Sequence, residues 1–165
     1  MSSTRIVAAV PADFPAIQSV AHRTWPDTFG GILSPEQIGY MLEMMYTPAA
    51  IAEQTAKGHV FHLLYEDEEL VGYVSHQVDY LPGTTKIHKL YLLPATQGKG
   101  YGRLLIDFVA AAARAAGQTV LRLDVNYENR AIGFYEHLGF RKVGRHNTDI
   151  GSGYLMEDWV MEMPL

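Results

Sequence analysis

Apolar positions in the chain follow two spacings, and each spacing predicts a different kind of element. Helical spacing is clearest over residues 101–112, where apolar side chains recur at i, i+3, i+4, i+7, i+8 and i+11, and Gly117 is suited to end that helix. β-rich runs separated by turn-forming residues predict seven strands, at residues 5–10, 59–65, 70–79, 85–93, 119–125, 140–144 and 154–163.

Capping signals predict where the other helices begin. Asp13 is suited to cap a helix that runs to about Trp25. The segment WPDTFGGIL at residues 25–33 then predicts a loop, because Pro26 and the following glycine pair interrupt helices.

Ser34 before a proline, with Gln37 completing a capping box, begins the next helix, and Thr47 before a proline begins a short one. Asn129 is suited to cap a last helix, which Gly139 ends. The apolar face of that last helix contains Ala131, Phe134, Tyr135 and Leu138.

Taken as β-α-α-β-β-β-α-β-α-β-β, the order of elements predicts an α/β (α+β) fold. We expect one domain over residues 1–165, with a mixed, mostly antiparallel sheet of about six to seven strands flanked by about four helices.

Composition narrows the classes of function. Apolar residues make up 48% and charged residues 19% of the chain, which is typical of a globular domain. The net charge of −5 gives no overall basic field for nucleic acid. No apolar run is long enough to span a membrane and no secretory signal is evident, so we expect a soluble cytoplasmic protein.

The chain contains no cysteine, which excludes a disulfide, a zinc–thiolate site and a thiol nucleophile. Its histidines lack metal-ligand spacing such as HExxH, and we expect no metal.

The sharpest local signal is a strand that runs into the glycine-rich loop QGKGYG at residues 97–102, which opens a helix. Glycines in such a loop turn backbone N–H groups toward one point, and the helix N-terminus adds more, so the loop suits a phosphate or pyrophosphate. Lys99 and Arg103 would add positive charge. The Walker A and dinucleotide-binding spacings do not fit. A plain turn that only begins a helix is the alternative.

Together with the later segment Asn129-x-Ala131-x-x-Phe134-Tyr135, this loop resembles the GNAT superfamily of acetyl-CoA-dependent N-acetyltransferases. The resemblance covers essentially the whole chain and is strongest over residues 86–144. The WPDTF segment, the IHKLYLLP strand and the closing DIGSGYLMEDWVM most resemble bacterial polyamine and diamine acetyltransferases.

The resemblance implies a GNAT-like fold, acetyl-CoA as cofactor, and roles for individual residues. Tyr135 would be the general acid for the leaving thiolate; by its position alone it is an ordinary core tyrosine. The pantetheine arm and pyrophosphate would be held by Leu90, Tyr91, Leu92, Gln97, Gly98, Lys99, Gly100, Tyr101, Gly102, Arg103, Asn129, Ala131 and Phe134.

The implied reaction is acetyl transfer to a primary amine by direct attack in a ternary complex. An alkylamine with a pKa of about 10.4 is almost wholly protonated at neutral pH, so a base with a pKa of about 7 would help. His88 is the candidate, because strand alternation puts it on the face of Leu90 and Leu92; a hydrogen-bonded strand histidine is the alternative. Backbone N–H groups of that strand would stabilise the oxyanion.

The acceptor is expected to be a small polyamine-like or diamine-like molecule. Carboxylates attract cationic amines, and the candidate acceptor residues are Trp25, Asp27, Phe29, Asp79 and Tyr80, with Glu128 nearby. The alternatives are a protein or peptide amine acetyltransferase, a non-catalytic acyl-CoA-binding module, and a nucleotide-binding protein. No nucleic-acid or membrane partner is expected, and a homodimer is possible.

Overall fold

The computed structural model describes residues 3–165, which form one mixed sheet with helices on both faces. The helices are α1 Phe14–Phe29, α2 Pro35–Tyr46, α3 Pro48–Ala56, α4 Tyr101–Ala115 and α5 Ala131–Leu138. The strands are β1 Thr4–Ala8, β2 Val60–Glu66, β3 Glu69–Leu81, β4 Thr84–Leu92, β5 Val120–Asn126, β6 Arg141–Gly151 and β7 Tyr154–Pro164. The predicted fold class is confirmed, with five helices rather than about four.

The sheet has the order β1-β2-β3-β4-β5-β7-β6, and β4 and β5 are its one parallel pair among the described residues. Pairing of β4 with β5 starts at Thr84 opposite Val120 and stops at Ile87 opposite Leu123, although both strands continue. The two strands therefore part in the middle of the sheet and leave a fork.

Aromatic packing extends α1 beyond its predicted end. The prediction of a loop over residues 25–33 is wrong for residues 25–29, because the helix continues through Pro26 to Phe29. Trp25 and Phe29 are almost fully buried, and the indole of Trp25 lies 5.6 Å from the ring of Tyr91 on β4. Burial of these rings on the sheet outweighs the hydrogen bond that a proline removes from a helix.

The caps at Ser34 and Thr47 are confirmed. Ser34 Oγ accepts from the N–H of Gln37, and Thr47 Oγ1 accepts from the N–H of Ala50, each at 3.1 Å. The capping box is wrong, because the Gln37 amide donates instead to the carbonyl of Leu155 on β7. Asp13 also differs: its carboxylate accepts from the N–H of Val10 in a short 3₁₀ turn that precedes α1.

Strand β6 is longer than predicted. The sequence predicts a strand that stops at residue 144, but pairing with β7 continues to Gly151. Because β6 is an edge strand with most of its side chains exposed, its sequence lacks the apolar alternation that marks a half-buried strand. Within residues 3–165, no helix is both long and apolar enough to cross a membrane.

The close approach of β3 to β4 generates a stability prediction. A Cβ atom on Gly72 would lie 2.5 Å from Leu92 Cδ2 and 2.8 Å from the carbonyl oxygen of Tyr91, so Gly72→Ala should lower the free energy of unfolding by about 1–3 kcal/mol. Gly144→Ala, on a strand with nothing within 4 Å of the new Cβ, should stay within about 0.5 kcal/mol of wild type. Urea denaturation of both variants checks this, and equal effects would contradict it.

Candidate active site

The fork between β4 and β5 opens into a cleft of about 1200 Å³. Because the strands part, some main-chain N–H and C=O groups of β4 beyond Ile87 have no partner on β5. The cleft extends from the loop before α4 and the start of α5 at one end to the end of α1, to α2 and to the β6–β7 hairpin at the other.

The glycine-rich loop lines the first end of the cleft. Gly98 and Gly100 have φ values of +84° and +80°, and a Cβ on either would point into open space. Only glycine adopts this backbone conformation easily, and it directs successive N–H groups to one side. The N–H groups of the first turn of α4 have no partner within the helix, so the loop and helix together form an anion cradle.

The side chains of the loop are arranged differently from expectation. Lys99 Nζ lies 2.9 Å from Glu66 Oε2, and the Tyr101 hydroxyl donates to the same carboxylate, so Lys99 does not line the cleft. Arg103 does line it, and its guanidinium is 3.8 Å from the exposed Asp107 carboxylate. Arg130, which lies between Asn129 and Ala131 and was not singled out in the sequence, also lines the cleft.

The start of α5 packs tightly against the start of α4. A Cβ on Gly102 would lie 3.1 Å from the ring of Phe134, so only glycine allows this approach without a shift of the ring. Asn129 Oδ1 accepts from the N–H of Ala131 at 2.8 Å, one residue before the N-cap position, which Arg130 occupies. The remaining predicted cofactor residues line the same part of the cleft: Leu90, Tyr91, Leu92, Gln97, Gly98, Gly100 and Tyr101.

Tyr135 projects from α5 and also lines the cleft. Its side chain is 8% exposed and packs edge-on against Phe140, with ring centroids 5.7 Å apart. Burial raises the pKa of Tyr135 to about 12, since the phenolate would lose its hydration. The hydroxyl therefore keeps its proton throughout the physiological range, which suits a general acid and not a general base.

His88 lines the cleft, but not with the properties expected of it. The register of β3 with β4 skips His88, between Ile87 and Lys89, so the alternation that would place it on the face of Leu90 and Leu92 is broken. Its Nε2 lies 3.0 Å from Gln77 Oε1, and its ring stacks on His59 at 3.8 Å.

Burial, together with the nearby charges of His59, Lys86 and Lys89, lowers the pKa of His88 to about 2. Such an imidazole holds a proton too weakly to serve as the base for an amine at neutral pH. The contact with Gln77 is the one expected of a hydrogen-bonded strand histidine, which the sequence left as the alternative.

Asp158 on β7 is a titratable group that the sequence analysis missed. It is 6% exposed and lines the cleft opposite Asn126 of β5. Burial, followed by the charge of Asp124, raises the pKa of Asp158 to about 6, while His146, Lys86 and Arg145 pull it the other way. Lys86 and His146 both donate to Asp124, at 3.1 Å, and not to Asp158. Asp158 does not belong to a sequence motif. Its position in the cleft follows from the pairing of β7 with β5 at the fork.

Some of the residues expected to bind the acceptor line the cleft, and others lie outside it. Asp27, Phe29 and Glu128 line the cleft. Trp25 does not, because it is buried in the aromatic cluster under α1. Asp79 accepts hydrogen bonds from Gln118 and from the N–H of Gly83, and so stabilises the β3–β4 turn. Tyr80 lies beside His88 and under the ammonium of Lys86, outside the cleft lining.

The second end of the cleft is bridged by contacts between α2 and the β6–β7 hairpin. The Tyr40 hydroxyl donates to the carbonyl of Ile150 at 2.6 Å, and the Gln37 amide donates to the carbonyl of Leu155 at 3.0 Å. The ring of Tyr40 packs on that of Tyr154, with centroids 5.3 Å apart. Apolar side chains line the cleft inside this bridge: Leu33, Met41, Met45, Leu155 and Met156.

Comparisons with known proteins agree with this geometry. Residues 17–140 match the family described as Acetyltransferase (GNAT) family. An uncharacterized N-acetyltransferase of Lactobacillus delbrueckii subsp. lactis is 29% identical over 92% of each chain. A spermidine N(1)-acetyltransferase of Thermoplasma acidophilum is 24% identical over 88% of this chain and 90% of its own. The fold is similar to that of the PaiA N-acetyltransferase of T. acidophilum in complex with coenzyme A, with a TM-score of 0.82, 23% identity and 99% of both chains covered.

The anion cradle generates a binding prediction. Gly100→Ala places an L-residue in the left-handed region, at a cost of roughly 1–2 kcal/mol, and should drive the loop out of the cradle conformation. We expect its Kd for coenzyme A, measured by calorimetry, to rise roughly tenfold. Gly117→Ala carries the same strain, with φ +78°, at the end of α4 away from the cleft and should leave the Kd unchanged. Equal Kd values in both variants would show that the cradle does not bind the cofactor.

Proposed function

The chain belongs to the acetyltransferase (GNAT) family, and from that premise we propose that it transfers the acetyl group of acetyl-CoA to a primary amine of a small, diamine-like or polyamine-like molecule. It is an acetyl-CoA-dependent N-acetyltransferase, since the family defines both the reaction and the donor. The acceptor class and the roles of individual residues are the new part of this proposal.

The bridge between α2 and the β6–β7 hairpin is the observation that carries the small acceptor. A protein substrate needs an open groove through which a peptide can run past the reacting amine. Here Tyr40 and Gln37 tie α2 to Ile150 and Leu155 across the end of the cleft. A compact acceptor fits behind such a bridge, whereas a continuous peptide would have to break it.

Carboxylates in the same part of the cleft favour a cationic acceptor. Asp27 and Glu128 lie at its exposed margin, and Asp158 lies deep in it. The apolar side chains between them, among them Met41 and Met156, suit the methylene chain of an alkylamine. Carboxylates at the margin of the cleft would bind cationic groups, and the apolar wall inside it would contact the carbon chain between them. This combination suits a linear amine with more than one cationic group.

The residues at the first end of the cleft fit acetyl-CoA. The N–H groups around Gly98, Gly100 and Gly102 would hold the pyrophosphate, with Arg103 and Arg130 adding positive charge, and the unpaired main chain of β4 would bind the pantetheine arm. When bound, acetyl-CoA supplies a thioester carbonyl that an uncharged amine attacks directly. The absence of cysteine means that no acetyl-cysteine forms on the protein.

Asp158 and Tyr135 would divide the proton transfers between them. The carboxylate of Asp158, with a pKa of about 6, is ionised at neutral pH and takes a proton from the acceptor ammonium. Tyr135, with a pKa of about 12, gives its proton to the departing sulfur. Both groups line the same cleft as Tyr91 of the cofactor strand, so we place the acid and the base in one site.

The acid role of Tyr135 predicts a loss of turnover without a loss of cofactor binding. Tyr135→Phe should lower kcat by about 100-fold and leave the Kd for coenzyme A nearly unchanged, because only the hydroxyl is removed. Release of coenzyme A, followed with a thiol reagent, measures kcat with little background because the protein has no thiol. The acceptors tested are putrescine, spermidine, spermine, arylalkylamines, aminoglycosides and N-terminal peptides.

Tyr65→Phe, outside the cleft, is the matched control and should retain wild-type kcat. Turnover only with peptides would contradict the small acceptor. Binding of coenzyme A with no turnover on any acceptor would favour the non-catalytic module.

The base role of Asp158 predicts a pH profile. Because the base must be ionised, kcat at saturating acceptor should rise as the pH increases through about 6, the pKa of Asp158. No decrease from Tyr135 is expected below about pH 10, since its pKa is about 12. Asp158→Asn should lower kcat by about 100-fold and remove the rise near pH 6. The same rise in the variant would exclude Asp158 as the base.

A further inference from the structure

Acetylation of an amine releases one proton for each acetyl group transferred. An alkylammonium loses two protons when it becomes an amide: the nitrogen forms a bond to the acetyl carbon, the carbon–sulfur bond breaks, and the thiolate takes up one proton by way of Tyr135. The second proton reaches Asp158 and must then leave for bulk water. This requirement rests on the proposed function.

Asp158 is poorly placed to lose that proton directly. Its side chain is 6% exposed, and the cleft it lines is filled by both substrates during the reaction. Its partner across the β6–β7 ladder is His146, on the outer strand of the sheet. Residues paired in this way have Cβ atoms about 4.5–5.5 Å apart. The side chain of His146 also lines the cleft and is 50% exposed, so it borders both Asp158 and solvent.

Two hydrogen bonds fix the state of the His146 ring. Its Nδ1 lies 3.1 Å from Asp124 Oδ2, and because a carboxylate only accepts, Nδ1 carries the proton. Nε2 is therefore the basic nitrogen, and Thr148 Oγ1 lies 3.2 Å from it. Lys86 donates to the same oxygen of Asp124 at 3.1 Å and holds that carboxylate in place.

The charged groups around Asp158 and His146 are compatible with proton transfer between them. The charged groups that act on Asp158 are Asp124 on β5, Lys86 on β4, and Arg145 and His146 on β6. The carboxylate of Asp124 holds the ring of His146 through its contact with Nδ1. Protonated Asp158 and neutral His146 can therefore exchange one proton with no change in the total charge of the cluster.

We propose that His146 is a relay residue: as the ladder partner of Asp158 it takes the acceptor's proton from that carboxyl group and releases it to bulk water, and Asp124 is the positioning residue that holds its ring. The O–H bond of Asp158 breaks and an N–H bond of His146 forms, and no electrons are transferred.

Rescue by a small base tests the relay. His146→Ala should lower kcat by about 10- to 100-fold in dilute buffer, because proton release becomes limiting, with the KM for acetyl-CoA unchanged. Imidazole should restore kcat in proportion to its concentration, whereas wild type should not respond to it. His137→Ala, exposed on α5 outside the cleft, is the matched control and should behave as wild type.

Three results would overturn the relay. Wild-type kcat in His146→Ala would show that the proton leaves another way. A loss of kcat that imidazole does not restore at any concentration would assign His146 a purely structural role. An unchanged pH profile in Asp158→Asn would remove the base itself, and so would contradict the proposed function as well, whereas the first two results leave that function standing.

Discussion

The separation of β4 from β5 is the constraint on which the rest of the structure depends. A parallel pair normally keeps its hydrogen bonds along its length, yet here pairing stops at Ile87 and Leu123 while both strands continue. Each unpaired main-chain group that is shielded from water costs about 1–3 kcal/mol unless a ligand or water bonds to it. The fork is therefore stable because it opens into a cleft, where an extended amide-bearing ligand can take the place of the missing strand.

Each of the two strands of the fork pairs with a neighbouring strand on the side away from the gap. Strand β3 pairs with β4 as far as Leu92, and Gly72 leaves room for that leucine. Strand β7 pairs with β5 as far as Asn126, which brings Asp158 to the cleft. The contact of Gly102 with Phe134 then joins α4 to α5 across one end. The site is thus built by packing around the gap, so its geometry does not require a ligand to form it.

The sequence predicts the parts of this arrangement that depend on local chemistry. The glycine loop, the caps at Ser34 and Thr47, and most strands follow from residue type and spacing, and the family resemblance supplied the reaction. The sequence pattern does not predict the features that depend on tertiary packing. Burial of Trp25 and Phe29 stabilises α1 beyond Pro26. The side chains of β6 are mostly exposed, so its sequence does not show its length. A one-residue bulge at His88 changes the face of the strand on which it lies. None of these has a local signal, because each is decided by a partner distant in the chain.

The same reasoning explains why we propose a base other than the one that the sequence suggests. A histidine beside the cofactor strand has a suitable pKa in water, and this made His88 the natural candidate. In the fold, burial lowers the pKa of His88 to about 2, whereas burial beside Asp124 raises the pKa of Asp158 to about 6. Desolvation disfavours the charged form of both groups, and so it moves the imidazole away from neutrality and the carboxylate toward it. In the proposed mechanism, a buried carboxylate at the fork is therefore a better base at neutral pH than a buried histidine. The proposed relay through the more exposed His146 would return its proton to water.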